Sequence, residues 1–266
     1  MVGIKQYRWL PILIIGLTLI FFYLPILILM IFSFNDSRSL TSWSGFSLQW
    51  YRQLFESREV VNAVMTTVTI AIISTIISTF VGTITAIGLS KSKKVIKELV
   101  LTFNNFPILN PEIVTAIGLM LLFSAFAIQR GFMTMLLAHI SFSIPYVILT
   151  ILPKLRSLDP NLAEAAMDLG ATPWQALTKV IVPQITPGIL AGALIAFTMS
   201  FDDFVISYFV TGGGVKNISI LVYTMSKRIN PTINALSTIL VVIITIVLII
   251  VNVIPQAKKK ERVTLE

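Results

Sequence analysis

The sequence predicts an all-α polytopic membrane protein with six transmembrane helices. Of its 266 residues, 56% are hydrophobic and only 12% are charged, and the mean hydropathy is +0.89. Soluble domains carry about twice that charged fraction. The Lys and Arg residues lie in short clusters between long apolar runs, which is typical of membrane topology and not of nucleic-acid binding. With no Cys and one His, thiol chemistry, thiolate metal sites and most acid–base triads are excluded.

Six stretches are long enough to cross the ~30 Å hydrocarbon core as helices, at about 1.5 Å per residue. Strands of a membrane barrel would instead alternate in polarity over roughly ten residues. The first stretch is bulky throughout, so we expect it to be retained and not cleaved as a signal peptide. The third is interrupted by Glu112 alone. In order, the stretches are residues 9–35, 60–90, 99–129, 131–153, 180–201, whose apolar character continues past Asp202 and Asp203, and 229–257.

The Lys and Arg residues outside these stretches predict that both termini are cytoplasmic. With the N-terminus inside, the cytoplasmic segments carry nearly twice as many of them as the outer loops. The last outer loop is the exception, since it holds Lys216, Lys227 and Arg228 and no acidic residue. The expected domains are an N-terminal helix and outer loop over 1–59, a five-helix core over 60–257 and a basic, lipid-touching tail over 258–266.

The inner connection between the fourth and fifth stretches, residues 154–187, is too long to be a simple turn. Asp159-Pro160 places an N-cap residue before a proline at the first helical position, and Gly170 is expected to end this first short helix. The helix would carry carboxylates on one face and an apolar stripe opposite them. These faces are Glu164 with Asp168, and Leu162, Ala165, Ala166 with Leu169.

A second short helix is expected to begin at Thr172-Pro173, which repeats the start signal, and to end at Pro183. Two interpretations of the helix pair are open. It could lie on the membrane surface as an amphipathic pair, or its small side chains could let it enter a groove on a partner protein. Periodicity alone favours the membrane surface.

The spacing of residues in this connection favours the partner. Glu164-Ala165-Ala166 is followed after three residues by Gly170 and, after nine more, by residues 180–183, Val-Ile-Val-Pro. This pattern resembles the EAA loop of ABC importer membrane subunits, with valines at two positions where the family has Ile and Leu. The resemblance implies that the first helix docks on a separate ATPase and transmits its closure to the pore. The coupling residues implied are Glu164, Ala165, Ala166, Asp168, Gly170 and Pro183.

Three further segments, residues 139–146, 200–212 and 234–238, resemble the second permease subunit of spermidine/putrescine importers. The resemblance extends over about 62–254. It implies a type I importer of the MetI-like fold in the bacterial inner membrane. Its partners would be a paralogous permease, two ATPase subunits and an external polyamine-binding protein. The chain lacks a Gly-x-x-x-x-Gly-Lys-Ser/Thr segment, so we expect it to be no enzyme and to bind no cofactor or metal, with ATP and Mg held by the ATPase subunits.

Asp202 and Asp203 lie near the outer end of the fifth stretch, and acidic residues inside a membrane usually face a cavity or a partner. If this helix enters the membrane near Pro187, Asp202 lies about 22 Å along it, in the outer half of the bilayer. Successive residues differ by about 100° around a helix. Only one of the two aspartates can therefore face a pore squarely, and the other would meet a neighbouring helix.

A carboxylate beside aromatic rings matches a polyamine, whose ammonium groups are spaced along a methylene chain. The alternative is that the two aspartates lie at the interface or pair with Lys216 or Arg228. We favour the functional interpretation, because ionisable residues inside a membrane are functional by default. The predicted substrate pathway consists of Asp202, Asp203, Tyr208, Phe201 and Glu112.

Glu112 itself has two interpretations. It follows Asn110-Pro111, a pattern in which Asn110 would cap a helix and Glu112 would interact favourably with the helix dipole. Structural capping is therefore favoured, with a pore-lining role second. His139 lies among apolar residues and is expected to be a hydrogen-bonded packing residue, not a ligand.

The function predicted is that of a permease subunit that forms half of a polyamine path and is driven by a partner ATPase. Another cargo, such as ferric ion, thiamine or phosphonate, is the alternative, because the EAA loop carries no information on the substrate. An autonomous secondary transporter would place ionisable residues at mid-membrane and often show repeated halves. A membrane-embedded enzyme would need a catalytic constellation that these few polar residues hardly supply.

Overall fold

A computed structural model describes the chain over residues 9–39, 41–226 and 230–263. Across these residues the fold is helical without a strand, and an isolated antiparallel bridge joins Asn35 to Phe46. The predicted all-α class is confirmed. In chain order the helices are α1 (Trp9–Phe32), α2 (Gln49–Glu56), α3 (Arg58–Lys91), α4 (Lys94–Leu109), α5 (Glu112–Ala125), α6 (Phe132–Arg156), α7 (Leu162–Asp168), α8 (Pro173–Gln175), α9 (Val182–Asp202), α10 (Val205–Val210), α11 (Ile218–Ser226) and α12 (Thr232–Val263).

Several of these helices are suited to a membrane. Among the described residues, four helical segments are long and apolar enough to cross one, and a bent pair makes a fifth candidate. The four are α1, α3, α6 and the helix that runs from Pro173 to Asp202, and the pair is α4 with α5. The start of α12, Thr232–Ile246, is apolar but shorter. The chain is therefore a membrane protein with several apolar spans.

One compact unit combines residues 1–60 with 222–266. Within it, α1 and α2 both pack against α12. No side chain of α1 is buried, and its Leu, Ile and Phe residues lie on every face. A helix that is apolar all round is a lipid-facing span. Of the predicted basic tail, residues 258–263 continue the backbone of α12 and residues 264–266 lie outside the described residues, so the predicted domain bounds stay a prediction.

Asn35 organises the loop between α1 and α2, which is predicted to lie outside. Its side chain is fully buried and donates to the carbonyls of Ser39 and Ser42, at 3.1 and 2.9 Å. Its amide oxygen accepts from the backbone N–H of Ser44 at 2.8 Å, and the indole N–H of Trp50 donates to its carbonyl at 2.7 Å. The side-chain amide thus adds hydrogen bonds to the backbone of the loop beyond those of the bridge between Asn35 and Phe46. This loop is a folded element.

The other compact unit, residues 61–221, is built around α6, which packs against α4, α9 and α10. Glycines let α3 and α9 approach it closely. A Cβ added at Gly82 on α3 would lie 2.6 Å from Cγ1 of Val147, and one at Gly192 on α9 would lie 3.3 Å from the Cα of the same residue. Close backbone approach at small residues is the usual packing of membrane helices.

Gly82→Ala is therefore expected to destabilise the chain by about 1 to 3 kcal/mol, because the new methyl group overpacks the contact with Val147. The measurement is the melting temperature of the purified chain in detergent. Gly88→Ala on the same helix is the control, since no atom lies within 4 Å of its added Cβ. Adding Val147→Ala to Gly82→Ala should restore part of the lost melting temperature. Equal melting of the Gly82 and Gly88 variants would contradict this packing account.

The third predicted stretch is not one straight helix. It forms α4 and α5, which meet at an angle of 107°. Asn110 is extended, with φ −81° and ψ 145°, as expected before a proline. The prediction that Asn110 caps the next helix is wrong, because α5 follows Pro111 and no side chain caps it. Glu112 does lie in the first turn of α5, next to the positive end of the helix dipole.

The inner connection differs from its predicted form at three points. The first helix begins at Leu162 and not directly after Asp159, whose carboxylate accepts from the N–H of Asn161 at 2.9 Å in a turn. Leu169 then falls beyond the end of α7 and is 90% exposed, so the predicted apolar stripe is not a single buried face.

Pro183 does not end the second helix, which is the third difference. The predicted start is confirmed, since the Thr172 hydroxyl accepts from the N–H of Gln175 at 3.3 Å and the Gln175 side chain accepts from the N–H of Thr172 at 2.9 Å. A π-helical turn, Ala176–Ile181, then joins α8 to α9. Such a turn shifts the hydrogen-bond register, and Pro183 consequently lies in the first turn of α9, where its missing N–H costs little.

Candidate functional site

The EAA-like loop places its residues on α7 and on the turn that follows. Gly170 has φ +90°, a conformation that L side chains rarely adopt. Its N–H donates to the carbonyl of Met167 at 2.9 Å, and the N–H of Ala171 donates to Ala166 at 3.1 Å. A glycine with positive φ thus closes the C-terminus of α7. The predicted glycine joint between the two short helices is confirmed.

Glu164 lies in the first turn of α7 and is exposed. It lines a cavity of about 450 Å³ together with Lys91 at the end of α3, Lys97 at the start of α4 and Arg156 at the end of α6. Ala165 and Asp168 are exposed, and Ala166 is half-buried. Of the predicted coupling residues, all but Pro183 therefore lie on α7 and its closing turn, whereas Pro183 lies at the start of α9.

The two adjacent aspartates have different environments. Asp202 is the last residue of α9 and is exposed. Asp203 is 8% exposed, and its carboxylate accepts from the N–H groups of Ile206 at 3.3 Å and Ser207 at 2.7 Å. Those N–H groups begin α10 and have no helical partner, so Asp203 acts as their cap. The helix therefore breaks between α9 and α10. The Asp203 carboxylate is buried at this break, and the Asp202 carboxylate is exposed.

His139 contacts both sides of this break. Its Nδ1 lies 2.6 Å from the Ser200 hydroxyl on α9, and its Nε2 lies 2.9 Å from the Ser207 hydroxyl on α10. The Nε2 atom is also 3.5 Å from the Asp203 carboxylate. The expected role of His139 as a hydrogen-bonded packing residue is confirmed. Sequence reasoning did not find its link to Asp203, because no local pattern joins residues so far apart in the chain.

Two more side chains complete this polar cluster. The Ser74 hydroxyl on α3 donates to the Ser200 hydroxyl at 3.0 Å. The Asn217 amide donates to the carbonyl of Asp203 at 2.8 Å and to the Ser207 hydroxyl at 3.0 Å. The six residues are buried, and they come from five helices or their flanking turns. We call them the His139 cluster, which consists of Ser74, His139, Ser200, Asp203, Ser207 and Asn217.

The remaining predicted pathway residues lie near the break. Glu112 is exposed at the start of α5, which packs against α10, and its carboxylate is close enough to Asp202 and Asp203 for their charges to interact. Phe201 is half-buried, whereas Tyr208 is 43% exposed. The structure thus brings three carboxylates and an exposed aromatic ring to one end of the unit. The alternative partner Arg228 lies outside the described residues.

Comparison with known proteins gives the family. Residues 78–257, about two thirds of the chain, match the family described as binding-protein-dependent transport system inner membrane component. The chain is 38% identical over 224 residues to the spermidine/putrescine transport system permease protein PotC of Escherichia coli K12, covering 84% of this chain and 85% of that protein. It is 39% identical over 237 residues to the putrescine transport system permease protein PotI of the same strain, covering 86% and 84%.

Solved structures agree on the fold. A bacterial ABC transporter involved in the import of the acidic polysaccharide alginate superposes with a TM-score of 0.69, at 18% identity and 88% coverage of both chains. The alginate transporter in complex with an alginate-pentasaccharide-bound periplasmic protein also gives 0.69 at 18% identity, covering 91% and 92%. At such low identity this likeness concerns the fold alone. By its family match and its relatives, the chain belongs to the binding-protein-dependent transport system inner membrane components.

Proposed function

We propose that this chain is a permease subunit of an ATP-driven polyamine importer. The observation that carries the proposal is the identity of 38–39% to two polyamine permeases over more than four fifths of each protein. The carboxylates at the α9–α10 break support it, because a pathway for a polycation needs negative charge along its wall. The cargo would be spermidine, putrescine or both.

The substrate would contact Asp202 and Glu112, the two exposed carboxylates. An ammonium group needs an accessible oxygen, and the Asp203 carboxylate already accepts from two backbone N–H groups. Tyr208 offers an exposed ring to the methylene chain, and Phe201 lies at the end of α9. In this arrangement Asp203 contributes negative potential, whereas Asp202 makes the contact.

The importer would be assembled in the bacterial inner membrane from this chain, a paralogous permease, two ATPase subunits and an external polyamine-binding protein. The ATPase subunits would bind ATP and Mg, so this chain is no enzyme by itself. The exposed face of α7, with Ala165 and Asp168, is available for docking on an ATPase. Glu164 and Gly170 would set the charge and the angle of the docked helix, with Ala166 and Pro183 as supporting residues.

The membrane topology would comprise six spans with both termini in the cytoplasm. The sixth span is α12, which begins with the apolar segment Thr232–Ile246. A fluorescent protein that matures only in the cytoplasm should fluoresce when it is fused after Glu266. Alkaline phosphatase inserted near Gly213 should be active outside. A phosphatase fusion after Ser92, in an inner turn, is the control and should be inactive. Opposite signals at Glu266 and Gly213 would overturn the topology.

The function is tested by reconstituting the chain with its neighbouring subunits in liposomes. Spermidine or putrescine, supplied with the external binding protein, should stimulate ATP hydrolysis and accumulate inside the vesicles. Ferric ion, thiamine and phosphonate are the competing cargoes to supply in parallel. Stimulation by one of these cargoes, with none by a polyamine, would replace the cargo assignment and leave the permease assignment intact.

A further inference from the structure

The break between α9 and α10 is the feature that separates the two aspartates. The backbone leaves the helix at Asp203, with φ −59° and ψ 127°, and re-enters it at Val205. In an uninterrupted helix, the directions of successive side chains next to Asp202 would differ by about 100° around one axis. The direction of the Asp202 side chain therefore depends on what holds the break in place.

The His139 cluster holds it from the inside. His139 is 1% exposed and lies on α6, and its two ring nitrogens contact Ser200 before the break and Ser207 after it. A single rigid ring thus fixes the separation of α9 and α10. Asn217 adds a second connection, since its amide holds the carbonyl of Asp203 itself.

One histidine tautomer lets the hydrogen bonds in the cluster run in a single direction. Ser74 donates to Ser200, so the Ser200 hydroxyl can give its own proton to Nδ1 of His139. In the tautomer that accepts at Nδ1, the imidazole carries its proton on Nε2, and this N–H can donate to the Ser207 hydroxyl at 2.9 Å. The backbone N–H of Ser207 in turn donates to the Asp203 carboxylate at 2.7 Å. A chain of donors from α3 to α10 ends on a carboxylate, which is the arrangement that satisfies each member.

We propose that His139 is a positioning residue of the translocation path: by joining Ser200 to Ser207 across the break, it keeps the Asp202 carboxylate at the exposed end of α9, beside Glu112. The proposal rests on the proposed function for the identity of the cargo. His139 is buried and touches no cargo itself. Without its ring, Ser200 and Ser207 lose their common partner. The backbone at the break then becomes less ordered, and the Asp202 side chain takes several orientations.

A double-mutant cycle in the reconstituted importer tests this role. His139→Leu is expected to raise the KM for polyamine about tenfold, while uptake per assembled complex at saturation changes less than twofold. Asp202→Asn combined with His139→Leu should then be no worse than Asp202→Asn alone, because both changes remove the same contact. His139→Gln, whose amide both donates and accepts, should bring the KM most of the way back to that of the unmodified protein.

Met135→Leu is the matched control for the cycle. Met135 is also fully buried on α6, one turn before His139, and has no hydrogen-bonding role there. The KM of the Met135→Leu variant should equal that of the unmodified protein. If His139→Leu fails to assemble, Ser207→Ala removes the contact of His139 on α10, together with the bond from Asn217, and should raise the KM about threefold. An unchanged KM in these variants, or effects of His139→Leu and Asp202→Asn that multiply, would overturn the proposal.

A spectroscopic readout separates this proposal from the choice of cargo. The chain has no cysteine, so a single Ser219→Cys can carry a nitroxide label without background. The Ser219 hydroxyl lies 3.1 Å from the carbonyl of Asp202 and so reports on the break. His139→Leu should make this label more mobile, and should leave a label at Thr198→Cys, one turn before the break, unchanged. Identical spectra at position 219 overturn the positioning role, whereas a missing polyamine response with a mobile label overturns the cargo alone.

Discussion

Asp202→Asn should lower polyamine uptake at low polyamine concentration by about 5- to 150-fold. The change removes one charge contact at a partly desolvated site, which is worth roughly 1 to 3 kcal/mol, and keeps the size of the side chain. Asp202 is exposed and caps nothing, so the protein should insert and assemble normally. Initial uptake rates are measured in proteoliposomes with matched amounts of assembled complex, with ATP hydrolysis recorded in parallel.

Asp203→Asn is the informative comparison, because the neighbouring carboxylate is buried and caps α10. Asn is a good N-cap and can still accept from Ser207, but it removes the negative charge beside His139. We expect this variant to reduce the amount of assembled complex more than the uptake per complex. Normal uptake in both single variants and in the double variant would show that the two aspartates are structural, and the polyamine assignment would then rest on the relatives alone.

Gly170→Val should uncouple ATP hydrolysis from transport. At φ +90° a β-branched residue is strained by at least about 1 to 2 kcal/mol, so the joint that follows α7 would leave its native angle. We expect the polyamine imported per ATP hydrolysed to fall on the order of tenfold. Capture of cargo by the external binding protein should stay unchanged. Both quantities are measured on the same proteoliposomes.

A graded series at this position isolates the backbone effect. No atom lies within 4 Å of a Cβ added at Gly170, so the size of the side chain is not itself a problem. Asn tolerates positive φ better than Ala, and Ala better than Val. Coupling should therefore decline in the order Asn, Ala, Val. Transport at the unmodified rate in Gly170→Val would remove the coupling role of this residue.

The apolar spans could be predicted well because hydropathy and length are local properties. The stretch predicted over 60–90 is α3, Arg58–Lys91, and the stretch over 131–153 is α6, Phe132–Arg156. The start of α8 was also predictable, since the cap formed by Thr172 and Gln175 needs only four residues. In each case the signal and the element that it specifies occupy the same segment.

The breaks in the helices were harder to predict. A hydropathy pattern carries no information on the angle between α4 and α5, although Asn110-Pro111 does mark where the chain leaves the helix. Pro183 suggested a helix end, because a proline removes one hydrogen bond. The π-helical turn before it absorbs that loss. Whether a proline stops or only perturbs a helix depends on its neighbours in space as well as in sequence.

The carboxylate pair shows the same limit. Helical geometry alone established that Asp202 and Asp203 diverge, but not which of them points inward. Asp203 points inward, where its carboxylate caps α10 and lies 3.5 Å from Nε2 of His139, more than sixty residues earlier in the chain. Long-range hydrogen bonds of this kind leave no periodic trace in a sequence.

The His139 cluster also has a consequence for biosynthesis. Its members span residues 74–217, so most of the chain must be made and inserted before the cluster can close. Until then, the Ser74 hydroxyl can bond the Ala71 carbonyl of its own helix, whereas His139 resides in a bilayer that offers no hydrogen bonds, where an unpaired polar group costs several kcal/mol. Nascent chains that end before Asn217 should therefore be loosely packed and easily degraded by membrane proteases. The core can therefore pack completely only after Asn217 has been inserted.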